Sequence, residues 1–163
     1  MNEYVVLDVE ATGLNPEKDK IIEVAVCKVK DGNIIDEYST FVNPEKTILP
    51  IITEITGITN DMVKQAETID IVIPSLLKFI GQLPIVVHSS KMSMRIIEKY
   101  FEDNKIDLNN EVIAVLPLCK KKFPNLKYYS TNKIYNFLEN TDIELDRCID
   151  YARAIHKVYE KIK

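Results

Sequence analysis

Two carboxylates inside an otherwise apolar run constrain the fold of this chain more than any other feature. Asp8 and Glu10 lie one residue apart in the run Tyr4–Glu10, which is followed closely by Gly13. The β-branched and aromatic residues of the run are typical of a buried strand. Because side chains alternate between the faces of a strand, both carboxylates should project from one face, about 7 Å apart.

Two buried negative charges are unfavourable unless a cation offsets them. A hard divalent cation such as Mg²⁺ or Mn²⁺ prefers oxygen ligands. The pattern therefore predicts a metal site at Asp8 and Glu10. The alternative is a strand end whose carboxylates reach water or cap the next turn.

Length and charge limit the classes of protein that remain. The 163 residues predict a single domain over 1–163 with its own core, and the net charge of −4 excludes a strongly basic overall footprint. Phosphate binding would need local lysine clusters, backbone N–H groups or a metal ion. Cys27 and Cys148 fall at apolar positions and are predicted to be buried thiols. The chain has no recognisable signal peptide and no apolar run long enough to cross a bilayer, so a cytoplasmic protein without a membrane partner is expected.

Hydrophobic periodicity predicts an α/β domain with a mixed central sheet. The first three strands, joined in part by an Asp31-Gly32 turn, should form an antiparallel meander. The predicted strands are Tyr4–Glu10, Ile21–Val29, Ile34–Phe41, Leu83–His88 and Val112–Val115. A first helix is predicted to begin near Asn60. The other predicted helices are Ile71–Ile80, Lys91–Phe101, Leu116–Lys122, Thr131–Leu138 and Asp146–Lys161.

Five segments resemble motifs of the DnaQ-like (DEDDh) 3′–5′ exonucleases, in the order and spacing of that family. Val6–Leu14 resembles the first acidic motif, and Ile55–Met62 resembles the His-Gly-Ile-Thr segment with Thr56 in the His position. The remaining three are Val86–Ser93, Ile113–Lys120 and Asp146–Arg153. The resemblance implies an RNase H-like fold with a central mixed five-stranded sheet flanked by helices.

The resemblance also exposes what the catalytic site lacks. Members of the family use four carboxylates to hold two divalent ions, together with a His general base. Asp8 and Glu10 match two of these carboxylates, whereas Ser93 and Tyr151 stand at the other two positions and Asp146 at the His position. Two carboxylates neutralise one divalent ion, so at most one weakly bound Mg²⁺ or Mn²⁺ is expected in the free protein.

Neighbouring carboxylates are not expected to replace the missing metal ligands and general base. Asp150 precedes Tyr151, but a helix turns about 100° per residue, so Asp150 should lie on the polar stripe of the last helix. Asp146 could act as a base or ligand, although its ordinary pKa of about 4 suits proton abstraction at neutral pH poorly. A helix N-cap is the preferred interpretation of Asp146.

The nucleotide-facing part of the motifs is better preserved. In relatives, the segment matching Thr12, Gly13 and Leu14 holds the 3′-terminal nucleotide, and all three residue types are retained. His88 is either a phosphate or base contact or a hydrogen-bonded structural residue, and the second interpretation is preferred. His156, on the last helix, is expected to be exposed.

A lysine cluster offers a second candidate surface. Lys120, Lys121 and Lys122, with Lys127 nearby, could contact a nucleic-acid backbone, or could be solvated lysines that favour a helix C-terminus. Tyr128 and Tyr129 could stack on bases, although packing is the commoner role.

Three functions are compatible with these motifs. The first is a catalytically impaired exonuclease domain that binds a single-stranded nucleic-acid 3′ end or a nucleotide, with a polymerase or another protein as a possible partner. The second is an active exonuclease with an altered metal site. The third is a non-enzymatic interaction domain, and fold alone does not choose among them.

Overall fold

The fold is a five-stranded mixed sheet with helices on both faces. The computed structural model describes residues 2–89 and 93–163, except for the side chain of Ser93. The strands are β1 (Glu3–Ala11), β2 (Ile21–Lys30), β3 (Asn33–Phe41), β4 (Ile85–Val87) and β5 (Val112–Ala114). The helices are α1 (Pro50–Thr56), α2 (Asn60–Val63), α3 (Ile69–Ile80), α4 (Ser93–Asp103), α5 (Val115–Lys122), α6 (Thr131–Glu139) and α7 (Cys148–Ile162).

The sheet has the order β3-β2-β1-β4-β5. Strands β1, β2 and β3 pair antiparallel, whereas β4 pairs parallel with both β1 and β5. The predicted meander and mixed five-stranded sheet are therefore confirmed. The Asp31-Gly32 turn has positive φ at both residues, as a tight two-residue hairpin requires.

Alternation along β1 divides the core into two layers. Val5 and Leu7 face α3 and α4, whereas Tyr4 and Val6 face α5, α6 and α7. Asp8 and Glu10 share the parity of Tyr4 and Val6 and therefore point towards the α7 side. The predicted common face of the two carboxylates is thus the face that the last helix covers.

Helix α1 was not predicted from the sequence. It begins with Pro50 at its first turn and ends at Gly57, which has a φ of 70° and donates its N–H to Thr53 O. Ile51 and Ile55 are exposed on this short helix, so no apolar stripe marks it in the sequence. Its position matters because it forms one wall of the candidate site.

The last helix differs from its predicted form in two ways. It begins at Cys148 with Arg147 as the N-cap, so the predicted N-cap role of Asp146 is wrong. The predicted exposure of His156 is also wrong: the residue is 2% exposed, and its Nδ1 lies 2.9 Å from the Tyr4 hydroxyl. Cys27 and Cys148 are buried as predicted, and Cys119 is buried as well. Residues 91 and 92 of the predicted helix Lys91–Phe101 lie outside the described part of the chain.

Candidate active site

A cavity of about 520 Å³ opens beside the carboxylate end of β1. Asp8 and Glu10 lie on its floor, and Tyr151 of α7 faces them. One wall is apolar and comes from α1 and the loop after β1; His88 and the start of α6 complete the lining. The lining residues are Asp8, Val9, Glu10, Ala11, Gly13, Leu14, Ile52, Ile55, Thr56, His88, Ile96, Ser130, Thr131 and Tyr151.

Burial raises the pKa of both acidic side chains on the cavity floor. Burial raises the pKa of Asp8 well above its ordinary value, and the neighbouring Glu10 charge raises it further. Burial likewise raises the pKa of Glu10 to about 7, with a further contribution from Glu23. Each shift means that the charged form is unfavourable where it stands. A bound divalent cation would reverse that preference, so the donor set fits one such ion.

Glu23 is a third buried carboxylate that the sequence patterns did not single out. It lies on β2 directly opposite Glu10 in the antiparallel register and is 3% exposed. Its Oε2 accepts the backbone N–H of Cys148 at 3.3 Å and lies 3.8 Å from Nη1 of Arg147. The start of α7 therefore compensates the Glu23 charge in part, although burial still raises the pKa of Glu23 above its ordinary value. Among residues 2–89 and 93–163, no group of three or more His, Cys, Asp or Glu side chains is arranged to hold a metal ion.

Arg147 ties the start of α7 to both neighbouring elements. Besides Glu23, its guanidinium donates to the backbone carbonyl of Thr56 at the end of α1. Gly57 leaves room for this contact, because a Cβ there would lie 3.2 Å from Nη2 of Arg147. The Arg147 contacts thus hold the α1 wall against the acidic floor.

The residues at the other predicted catalytic positions lie at different distances from the cavity floor. Tyr151 reaches the cavity, and burial together with the charges of Glu10 and Asp8 raises the pKa of its hydroxyl. Asp146 is exposed and pairs with Arg147 at 3.3 Å rather than lining the cavity. Asp150 accepts the backbone N–H of Arg147 at 3.3 Å and also lies outside the cavity lining. The Ser93 side chain lies outside the described part of the chain.

The residues predicted to contact a nucleotide differ in whether they line the cavity or support the loop beside it. Leu14 lines the cavity and is 74% exposed, and Gly13 lies beside it. Thr12 is not part of the lining, because its hydroxyl donates to Asp19 at 3.0 Å and accepts the N–H of Lys20 at 3.0 Å. His88 lines the cavity, and burial lowers its pKa against the opposing effect of a hydrogen bond to the backbone of Tyr129.

A mixed sheet in this order, with paired carboxylates on its central strand and helices on both faces, defines an RNase H-like nuclease fold. Comparison with known proteins agrees with this class and makes it more specific. The model of the exonuclease family RNase_T matches residues 5–158. The chain belongs to this family and is a DnaQ-like 3′–5′ exonuclease domain.

Curated relatives support the same assignment. The chain is 37% identical over 163 residues to the DNA polymerase III subunit epsilon of Aquifex aeolicus, covering 98% of the chain and 79% of that protein. It is 38% identical over 157 residues to the PolC-type DNA polymerase III of Clostridium perfringens, covering 96% of the chain. The chain spans only 11% of the length of that polymerase.

Solved structures confirm the fold. Exonuclease X in complex with 5′ overhanging duplex DNA matches with a TM-score of 0.71 at 24% identity, covering 96% of this chain and 89% of that one. The nuclease domain of 3′hExo, a DEDDh family member bound to rAMP, matches with a TM-score of 0.79 at 18% identity, covering 98% of this chain and 90% of that one. No helix in the described part of the chain is long and apolar enough to cross a membrane.

Proposed function

We propose that this domain binds the 3′ end of a single-stranded nucleic acid, or a nucleotide, in the cavity above β1, and that its hydrolytic step is impaired. The observation that carries the proposal is the composition of the cavity. Asp8 and Glu10 lie on the floor, Tyr151 occupies a position that holds a carboxylate in relatives, and Asp146 points away from the cavity. A nuclease-type pocket is retained with half of its acidic ligands.

The apolar wall and the acidic floor suit the two parts of a nucleotide. Leu14 and Ile55 are exposed at 74% and 72% and line one side of the cavity, where an apolar surface favours the flat face of a base. Asp8 and Glu10 would hold one Mg²⁺ or Mn²⁺, which would neutralise phosphate charge when bound. The N-terminus of α6 lies on the same cavity and can donate hydrogen bonds to phosphate oxygens, whereas His88 lines the cavity with its ring hydrogen-bonded to the backbone of Tyr129.

The impairment follows from the missing base and ligands. A general base must lie within hydrogen-bond reach of the proton that it removes. Asp146 is 80% exposed at its side chain and pairs with Arg147, so it does not serve the cavity floor. The Tyr151 hydroxyl keeps its proton at neutral pH because burial and the Glu10 and Asp8 charges raise its pKa, so it can donate a hydrogen bond but does not act as a general base.

One observation favours an altered but active exonuclease as the second candidate. The raised pKa values of Asp8 and Glu10 show a carboxylate pair whose charges are poorly compensated in the protein alone. Such a pair favours a divalent ion, and one ion can suffice for slow hydrolysis.

A polymerase or another protein could also be a partner of the domain.

The decisive experiment incubates 5′-labelled single-stranded DNA and RNA with the protein in Mg²⁺ and in Mn²⁺. The matched variants are Asp8→Asn, in the cavity, and Asp36→Asn, on the exposed part of β3. We expect the protein to bind the labelled strand without shortening it. Asp8→Asn should weaken this binding, and Asp36→Asn should leave it unchanged. A 3′ ladder that Asp8→Asn abolishes would refute impairment and establish the second candidate. No binding of nucleic acid or nucleotide would refute both and favour an interaction domain.

A further inference from the structure

The chain segregates its positive charge beside the cavity. Residues 112–138 contain five of the 21 lysines and arginines and none of the 25 aspartates and glutamates. The lysines of this stretch are Lys120, Lys121, Lys122, Lys127 and Lys133. In a chain with a net charge of −4, this acid-free stretch is the natural place for a polyanion to lie.

The loop 123–130 between α5 and α6 joins this stretch to the cavity. It ends at Ser130, the N-cap of α6, and both Ser130 and Thr131 line the cavity. The His88 side chain, which lines the same cavity, is hydrogen-bonded to the backbone of Tyr129. The loop is therefore fixed at the cavity edge and leads away from it.

The loop presents aromatic and cationic groups together. Nζ of Lys127 lies 5.1 Å from the centre of the Tyr128 ring, and Tyr128 is 58% exposed. Nζ of Lys120 lies 5.8 Å from the Tyr129 ring. An exposed ring beside a cation contributes little to a core, whereas it suits a base stacked next to its phosphate.

Not every lysine of the stretch is available for such contacts. Nζ of Lys122 donates to the carbonyl of Lys161 at 2.7 Å, at the C-terminal end of α7. This contact matches the interpretation of Lys120, Lys121 and Lys122 as lysines that favour a helix C-terminus. Lys122 is therefore engaged within the protein, whereas Lys127 lies beside the exposed Tyr128 ring.

We infer that Lys127 and Tyr128 form a binding site for the nucleotides upstream of the one held in the cavity, with Tyr128 stacking on a base and Lys127 contacting a phosphate. This inference rests on the proposed binding of a single-stranded 3′ end in the cavity. It commits to single-stranded nucleic acid because a stacking ring and the nuclease-type cavity adjoin each other. An acidic protein segment would use the lysine but not the ring.

The test compares the affinities of 5′-labelled oligomers that differ in length. A dinucleotide occupies the cavity, whereas an octanucleotide also crosses the loop. Oligothymidylate and oligouridylate arms separate DNA from RNA as the source, and Ca²⁺ serves as the divalent ion. The variants are Tyr128→Leu, Tyr128→Phe and Lys127→Gln, and Lys64→Gln is the control, since Lys64 is an exposed lysine paired with Asp61 on α2.

For the octanucleotide, Tyr128→Leu should lower affinity about five- to 100-fold, whereas Tyr128→Phe, which keeps the ring, should retain it. Lys127→Gln should reduce the slope of log affinity against log salt by about 0.7. Dinucleotide affinity should change less than about twofold in every variant, and Lys64→Gln should match wild type throughout.

Each contrary outcome has a separate meaning. If wild type binds the dinucleotide but holds the octanucleotide no more tightly, the loop site is refuted while the cavity proposal stands. If Tyr128→Leu has no effect on octanucleotide binding, or weakens both lengths equally, the stacking site is also refuted. If a polyglutamate peptide competes as well as the oligonucleotide and Tyr128→Leu does not change that competition, the loop is a polyanion or protein contact instead. If neither length binds, the proposed function itself fails.

Discussion

Replacement of Glu10 by glutamine should stabilise the protein at alkaline pH and leave it nearly unchanged at acidic pH. Burial and the Glu23 charge raise the pKa of Glu10 from 4.5 to about 7. The folded protein then binds more protons than the unfolded chain between these values, so stability falls as pH rises through the window. Between pH 5 and pH 8 the loss from this one group is about 2.5 kcal/mol, at 1.36 kcal/mol per pKa unit.

Chemical unfolding at pH 5 and pH 8, without divalent ions, measures this difference. Glu10→Gln should lose about 2.5 kcal/mol less than wild type between the two pH values, whereas the exposed Glu54→Gln control should follow wild type. Adding Mn²⁺ at pH 8 should stabilise wild type and have little effect on Glu10→Gln. Equal pH dependence in wild type and Glu10→Gln would refute the view that Glu10 is an uncompensated buried carboxylate.

Three further changes test other parts of the site. Arg147→Met should destabilise the fold by about 3 kcal/mol in thermal or chemical unfolding, because Glu23 would remain buried without its cation. Retained stability in Arg147→Met would show that the ion pair is dispensable. Tyr151→Asp should raise Mn²⁺ affinity at least about tenfold by calorimetry, since it adds a third acidic ligand to the cavity, and unchanged affinity would place the ion elsewhere. Tyr4→Phe should lower the free energy of unfolding by about 1 to 3 kcal/mol in chemical unfolding, because it removes the hydroxyl that lies 2.9 Å from Nδ1 of His156 and 2.6 Å from Oε1 of Glu160. An unchanged free energy of unfolding would contradict a buried hydrogen-bond network there.

Local patterns were sufficient to predict the sheet. A run rich in β-branched residues indicates strand β1, and the Asp31-Gly32 turn joins β2 and β3 as a hairpin. The common face of Asp8 and Glu10 follows from a period of two alone. These features depend on residues that are adjacent in sequence, which is why the sequence carries them.

The parts of the site that depend on distant partners were not predictable in the same way. Glu23 sits in an apolar strand, and only the pairing of β2 with β1 and the arrival of Arg147, far along the chain, give it a role. His156 occupies a helical position next to exposed Lys157, yet the Tyr4 hydroxyl accommodates its ring in the core. Asp146 is an excellent N-cap residue by type, but α7 begins two residues later.

The number of metal ions that the cavity can hold follows from where the compensating cation stands. Three carboxylates are buried around the site, but Arg147 and the first N–H of α7 already serve Glu23. Asp8 and Glu10 remain, and their two charges match one divalent ion. A second ion would have to draw its compensation from substrate phosphate. Calorimetry in the absence of nucleotide should therefore give one Mn²⁺ per chain in wild type and none in Asp8→Asn/Glu10→Gln, and two tight sites in wild type would overturn this account of the cavity.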